Sequence, residues 1–119
     1  MCRRTTELAQ ECYEPYLFNH AMRTYLFGGL VGRSQKMDFD MELLYLACIL
    51  HDIGLTTRFM RERPFEIEGA EAARKFLERQ ELSKAKSAIV WDGIALHAQA
   101  ASEFKRPEIA LVAEGAGMG

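Results

Sequence analysis

MELLYLACILHDIG, residues 41–54, is apolar almost throughout until a histidine and an aspartate arrive together at positions 51 and 52. Asp38 or Asp40 stands ahead of it as a helix N-cap, and Gly54 stands where that helix should end. Leu44, Ala47, Cys48 and His51 fall at i, i+3, i+4 and i+7, which predicts a helix with a buried stripe ending in His51. Aspartate is almost never fully buried without a partner, because an unpaired charge in apolar surroundings is costly. Something opposite the His51–Asp52 pair must therefore compensate that carboxylate. Adjacent helical residues point about 100° apart, so both side chains can reach one point only in a last turn relaxed by the following glycine.

Working outward, the remaining segments are also helical. Pro15 opens a helix through YLFNHAMRTYLFGGLVG, with Tyr16, Leu17, His20, Ala21, Leu26 and Leu30 near one side. Gly28 and Gly29 weaken its later turns and Gly32 is its expected stop. TTRFMRERPF, 56–65, is a basic loop closed by Pro64, where Arg58, Arg61 and Arg63 either face solvent or grip a phosphate. EIEGAEAARKFLERQ is a third helix with Ile67, Ala70, Phe76 and Leu77 apolar; Glu66 and Glu68 are expected to be exposed acids at its N-terminus. Ser83 caps a fourth, KAKSAIVWDGIALHA, with Ile89, Val90, Ile94 and His97 on a common side and Trp91 in the core. Pro107 opens a short last helix, EIALVAEG, after a polar loop. With no alternating β-branched run, the expected fold is an all-α helical bundle of about five helices.

Composition narrows the function classes. The chain has 119 residues, 49% hydrophobic and 27% charged, enough for a single domain with a real core. Net charge is −2 with pI near 5.9, so no basic field favours nucleic acid or an anionic membrane. Arg23, Asp38, Asp40, Glu42 and Asp52 interrupt every apolar run, and MCRRTTELAQ has no apolar stretch after its basic pair, so a cytoplasmic protein is expected. Cys2, Cys12 and Cys48 are too few and too scattered for a disulfide framework or a Cys-rich zinc site, and Cys48 reads as a core residue.

Only three histidines are present, and His20, His51 and His97 each fall on the apolar side of a different predicted helix. Taken singly, each is most simply a hydrogen-bonded core histidine. Taken together, with Asp52 beside one of them, they suggest an ion bound between helices, which supplies positive charge for the carboxylate and an acceptor for neutral imidazoles. His20 on a facing helix would then join His51 and Asp52 as ligands. Mixed nitrogen and oxygen donors suit Zn, Fe, Mn, Co or Ni without choosing among them.

NHAMRTYLFG at 19–28 followed by LACILHDIGL at 46–55 resembles the HD-domain metal-dependent superfamily, and within it the cyanamide hydratase-type branch. FEIEGAEAA at 65–73, WDGIALHA at 91–98 and RPEIALVAEGAG at 106–117 extend the resemblance over about residues 15–118. It implies an α-helical bundle that holds a divalent metal through His20, His51 and Asp52 and activates water. A fourth ligand, a distal Asp, would fall at or just beyond Gly119, so the fold is expected to be C-terminally incomplete or Gly119 to replace the ligand. The resemblance also implies that Asp52 orients or deprotonates the water and that His97 lines the pocket and contacts substrate. Thr56 and Thr57 follow the ligand pair and are candidate substrate-binding residues. A small nitrile- or amide-like substrate, with hydration of cyanamide as the specific case, is the leading expectation. Phosphomonoester or nucleotide hydrolysis, and an inactive binding module, are the alternatives. Ile109, Leu111 and Val112 of the last helix need a surface to cover, from which a homodimer is expected.

Overall fold

Seven of the eight residues from Leu43 to Leu50 are buried, so this helix is apolar all round and sits at the centre of the molecule. The computed structural model describes residues 1–97 and 107–118. Its helices are α1 (Cys2–Cys12), α2 (Pro15–Ser34), α3 (Met41–Leu50), α4 (Phe65–Arg79), α5 (Lys84–Ala95) and α6 (Pro107–Met118), with a 3-10 turn at Ile53–Leu55. No strand occurs among the described residues, and none of their helices is long and apolar enough to cross a membrane. The fold is all-α. Helix α3 touches each of the other five, and its burial on all sides replaces the single stripe expected for it.

Local signals set the helix starts. Asp40 caps α3 by accepting the Leu43 N–H at 3.0 Å, and Ser83 caps α5 by accepting that of Lys86 at 3.2 Å. Pro15 occupies the first turn of α2, where its missing N–H costs no helical bond. Helix α2 runs past its expected stop at Gly32 to Ser34. It ends in a Schellman motif, with the Lys36 N–H on the Arg33 carbonyl, the Met37 N–H on the Gly32 carbonyl, and Lys36 at φ 55°.

The packed side of α2 also differs from expectation. Tyr16, Leu26 and Leu30 are 70%, 56% and 58% exposed, while Ala21, Thr24, Gly28 and Gly32 are buried. Helix α6 lies so close that a Cβ on Gly28 would stand 2.8 Å from the Leu111 carbonyl oxygen, and one on Gly115 would overlap the Thr24 carbonyl. Small residues therefore form the contact, and larger apolar ones are left outside. Ile109, Leu111 and Val112 are all buried within this chain, so they do not supply the open apolar face from which a homodimer was expected.

Three further expectations change. Helix α1 was not anticipated, although Thr5, Leu8, Ala9 and Cys12 carry an i, i+3, i+4, i+7 stripe of which the first three are buried. Glu68, expected to be exposed, is buried, and Arg63 Nε and Nη2 both donate to its Oε1 at 3.1 and 2.6 Å. Trp91 is half-buried, and its Nε1–H reaches Glu71 Oε1 at 3.0 Å. Cys48 is fully buried, as expected. Residues 98–106 and Gly119, including the polar loop and the position tied to the fourth ligand, lie outside the described residues.

Candidate metal centre

Helix α3 stops at Leu50, ahead of the end expected at Gly54, and His51 is its C-cap. Asp52 then leaves helical geometry, at φ −108° and ψ 13°. His51 keeps helical values (φ −62°, ψ −27°), so the backbone departs from the helix at the residue that carries the carboxylate, and Asp52 Oδ2 comes within 3.2 Å of His51 Nε2. The last carbonyls of a helix lack intrahelical partners. Here the Cys48 carbonyl accepts His51 Nδ1 at 2.7 Å, and the Ile49 carbonyl accepts the Tyr13 phenol at 2.5 Å. Tight backbone packing seats the following turn. A Cβ on Gly54 would overlap the Phe65 carbonyl oxygen and stand 2.8 Å from the Gly69 nitrogen, so only glycine lets the turn lie on α4.

The result is a compact set of donors. His51 Nε2 lies 3.2 Å from His20 Nε2 and 3.2 Å from Asp52 Oδ2, and His20 Nε2 lies 3.4 Å from Asp52 Oδ2. His97 stands behind Asp52, with Nε2 3.8 Å from Oδ1 and its ring edge-on to His51 at 5.0 Å between centroids. Its Nδ1 is bound to the Ile94 carbonyl at 2.7 Å, repeating the i−3 arrangement of His51. Side-chain exposure is 1% for His51, 11% for Asp52 and 8% for His97, against 22% for His20, so the cluster meets solvent on the His20 side.

His20, His51 and Asp52 are a group of donors that could hold a cation. A carbonyl only accepts, so the proton on His51 Nδ1 is committed to Cys48. Its Nε2 then either carries a second proton or turns a lone pair toward a carboxylate oxygen and another imidazole. A proton or a metal ion at the centre removes that conflict. The three donor atoms form a nearly equilateral triangle of 3.2–3.4 Å edges. Ligands held about 2.0–2.2 Å from a tetrahedral ion stand about 3.3–3.6 Å apart, so the triangle fits a first-row divalent cation.

Burial raises the Asp52 pKa, but the hydrogen bond and charge of His51, then His97 and His20, outweigh it and hold the carboxyl below its ordinary value. For His97 burial dominates and lowers the pKa, against the Ile94 hydrogen bond and the Asp52 charge. It is therefore neutral near pH 7, with the Nε2 lone pair facing the site. Burial, then the Asp52 charge, push the Tyr13 phenol well above its usual range.

Other candidates lie apart from this cluster or are already engaged. Thr56 is buried and its hydroxyl donates to the Ile53 carbonyl at 2.7 Å, while Thr57 is exposed. Arg58 pairs with Glu11 at 3.5 Å, Arg61 donates to the Met60 carbonyl at 2.7 Å, and Arg63 is held by Glu68. Tyr13 escaped the sequence reading because nothing local links it to Ile49, 36 positions away.

A sequence model of the HD domain family matches residues 17–113. Two cyanamide hydratases of Saccharomyces cerevisiae, DDI2 and DDI3, are each 36% identical over 73 residues, covering 58% of this chain and 32% of theirs. An uncharacterized protein of Clostridium beijerinckii is 28% identical over 74 residues, 62% of this chain and 47% of its own. The chain thus spans about a third of the length of the yeast enzymes it matches. No solved structure gives a significant match.

Proposed function

The chain belongs to the HD domain family, and on that premise we propose that it is the metal-binding core of a water-activating enzyme acting on a small nitrile-like substrate. The observation that carries this is the His20–His51–Asp52 donor triangle with neutral His97 beside it. A divalent ion held there would supply Lewis-acid activation of water. His20, His51 and Asp52 Oδ2 are the atoms that would hold it.

The remaining roles follow from placement. Asp52 Oδ1 and His97 Nε2, 3.8 Å apart and both acceptors, can together receive the hydrogens of one water and fix its orientation. His97 is the proton acceptor of the pair, since its neutral Nε2 can take a proton as water adds to an electrophilic carbon. The hydrogen bond to Ile94 keeps the ring in that orientation and leaves the other nitrogen free. Adding water across the nitrile of cyanamide gives urea and needs no leaving group. Likeness to the yeast cyanamide hydratases supports this substrate class. The phosphate-ester alternative relied on Arg58, Arg61 and Arg63, each of which has an intramolecular partner.

The test is to strip the protein with chelator and reload it with Zn, Fe(II), Mn, Co or Ni one at a time. Urea release from cyanamide and phosphate release from a phosphomonoester are then measured in parallel. Urea formation that disappears in His51→Ala is expected. No turnover of cyanamide with any metal, or turnover that survives His51→Ala, refutes the proposal.

A further inference from the structure

Helix α1 and the tyrosine that ends it precede the residues matched by the HD family, yet they reach the ligand-bearing turn. Tyr13 is 6% exposed, and its hydroxyl donates to the Ile49 carbonyl at 2.5 Å. In a continuing α-helix that carbonyl would receive the N–H of Ile53, four residues on. Such a continuation would return Asp52 to helical phase and turn its side chain about 100° from that of His51. Instead the chain breaks at Asp52 and starts a new turn, with the Leu55 N–H on the Asp52 carbonyl at 2.9 Å. We propose that Tyr13 is a positioning residue of the metal centre: by occupying the Ile49 carbonyl it ends α3 before His51 and holds Asp52 where both ligands face His20. This inference rests on the proposed metal-binding role of the cluster.

A second tie between the same helices provides the control. Thr6 Oγ1 and the Tyr45 hydroxyl are 2.5 Å apart, more than one turn before Ile49 on α3. Losing the Tyr45 hydroxyl therefore loosens the docking of α1 without touching the end of α3.

The experiment is a Co2+ titration of chelated protein, followed by its visible absorption, on the wild type, Tyr13→Phe, Tyr45→Phe and His51→Ala. Tyr13→Phe keeps the ring and removes one oxygen. Its Co2+ affinity should fall about tenfold, the order seen when groups supporting a ligand are removed, and the absorption bands should shift. Tyr45→Phe should keep wild-type affinity and spectrum. Circular-dichroism melts of the same samples separate lost fold from lost geometry. If Tyr13→Phe melts too low, the exchange is repeated in a Gly29→Ala background, whose new methyl meets nothing within 4 Å. Wild-type affinity and bands in Tyr13→Phe, or equal weakening in Tyr45→Phe, would overturn the role of Tyr13 and leave the metal site intact. Co2+ binding that His51→Ala fails to weaken would overturn both, since no ion would then sit at this cluster.

Discussion

Gly54→Ala is the substitution that most directly joins packing to the metal centre. The added Cβ would overlap the Phe65 carbonyl oxygen, with the Gly69 nitrogen at 2.8 Å and the Phe65 carbonyl carbon at 2.9 Å. All three are backbone atoms of α4, so no side-chain rotation relieves the contact. The 3-10 turn and α4 must separate by about 1 Å to restore van der Waals distance. Overpacking of this kind costs about 1–3 kcal/mol, and the upper half of that range applies where backbone meets backbone. For a chain of this length about 2–3 kcal/mol corresponds to a melting temperature lower by about 6–15 °C. The effect should also reach the site, because Asp52 is two residues before Gly54 and its Oδ2 lies only 3.2 and 3.4 Å from the two imidazoles. Moving that oxygen by a fraction of the separation of turn and helix breaks the donor triangle. Scanning calorimetry gives the first effect, and a Co2+ titration at a temperature where the variant is folded gives the second. A melting temperature within about 1 °C of wild type, with unchanged Co2+ affinity, would refute both the packing account and its link to the site.

Neighbouring glycines of α2 should respond with opposite signs. Gly29→Ala should stabilise by about 0.5–1 kcal/mol through helix propensity alone, whereas Gly28→Ala should destabilise because its Cβ meets the Leu111 carbonyl oxygen at 2.8 Å; thermal melts of the two variants check the pair. Chelator should lower the melting temperature of metal-loaded wild type, by an amount worth about 2.7 kcal/mol where free metal had been 100 times Kd. His51→Ala should melt at the same temperature with and without chelator. Metal-free protein should lose stability as the solution is acidified, since His97 and Asp52 both have folded-state pKa values below their ordinary ones. A group of that kind stabilises the fold above its unfolded pKa and loses the contribution as pH falls, so the His97 loss should begin near pH 6.5 and that of Asp52 near pH 3.9. Melting temperature plotted against pH, with His97→Gln flattening the first limb, is the measurement.

What the sequence determined by itself was carried by local signals. The i, i+3, i+4, i+7 spacing of Leu44, Ala47, Cys48 and His51 marks a helix, though not its burial on every side, and Asp40, Ser83, Pro15 and Pro107 mark helix starts through chemistry confined to one turn. A carboxylate beside a histidine at the end of such a run requires compensation wherever the chain goes, which is why His20, His51 and Asp52 could be singled out together. Tertiary structure decided what depends on distance in space. The buried side of α2 is Ala21, Thr24, Gly28 and Gly32, because α6 approaches too closely for larger residues, and no hydropathy pattern announces a contact made by backbone. Glu68 is buried because Arg63 folds back over it, a pairing invisible until the loop is placed. The early end of α3 is likewise absent from the local pattern, because the Ile49 carbonyl is held by Tyr13 of another segment. Hydrogen bonds between residues far apart in sequence leave no periodicity behind, and in this chain one of them stands at the turn that brings His51 and Asp52 to the same point.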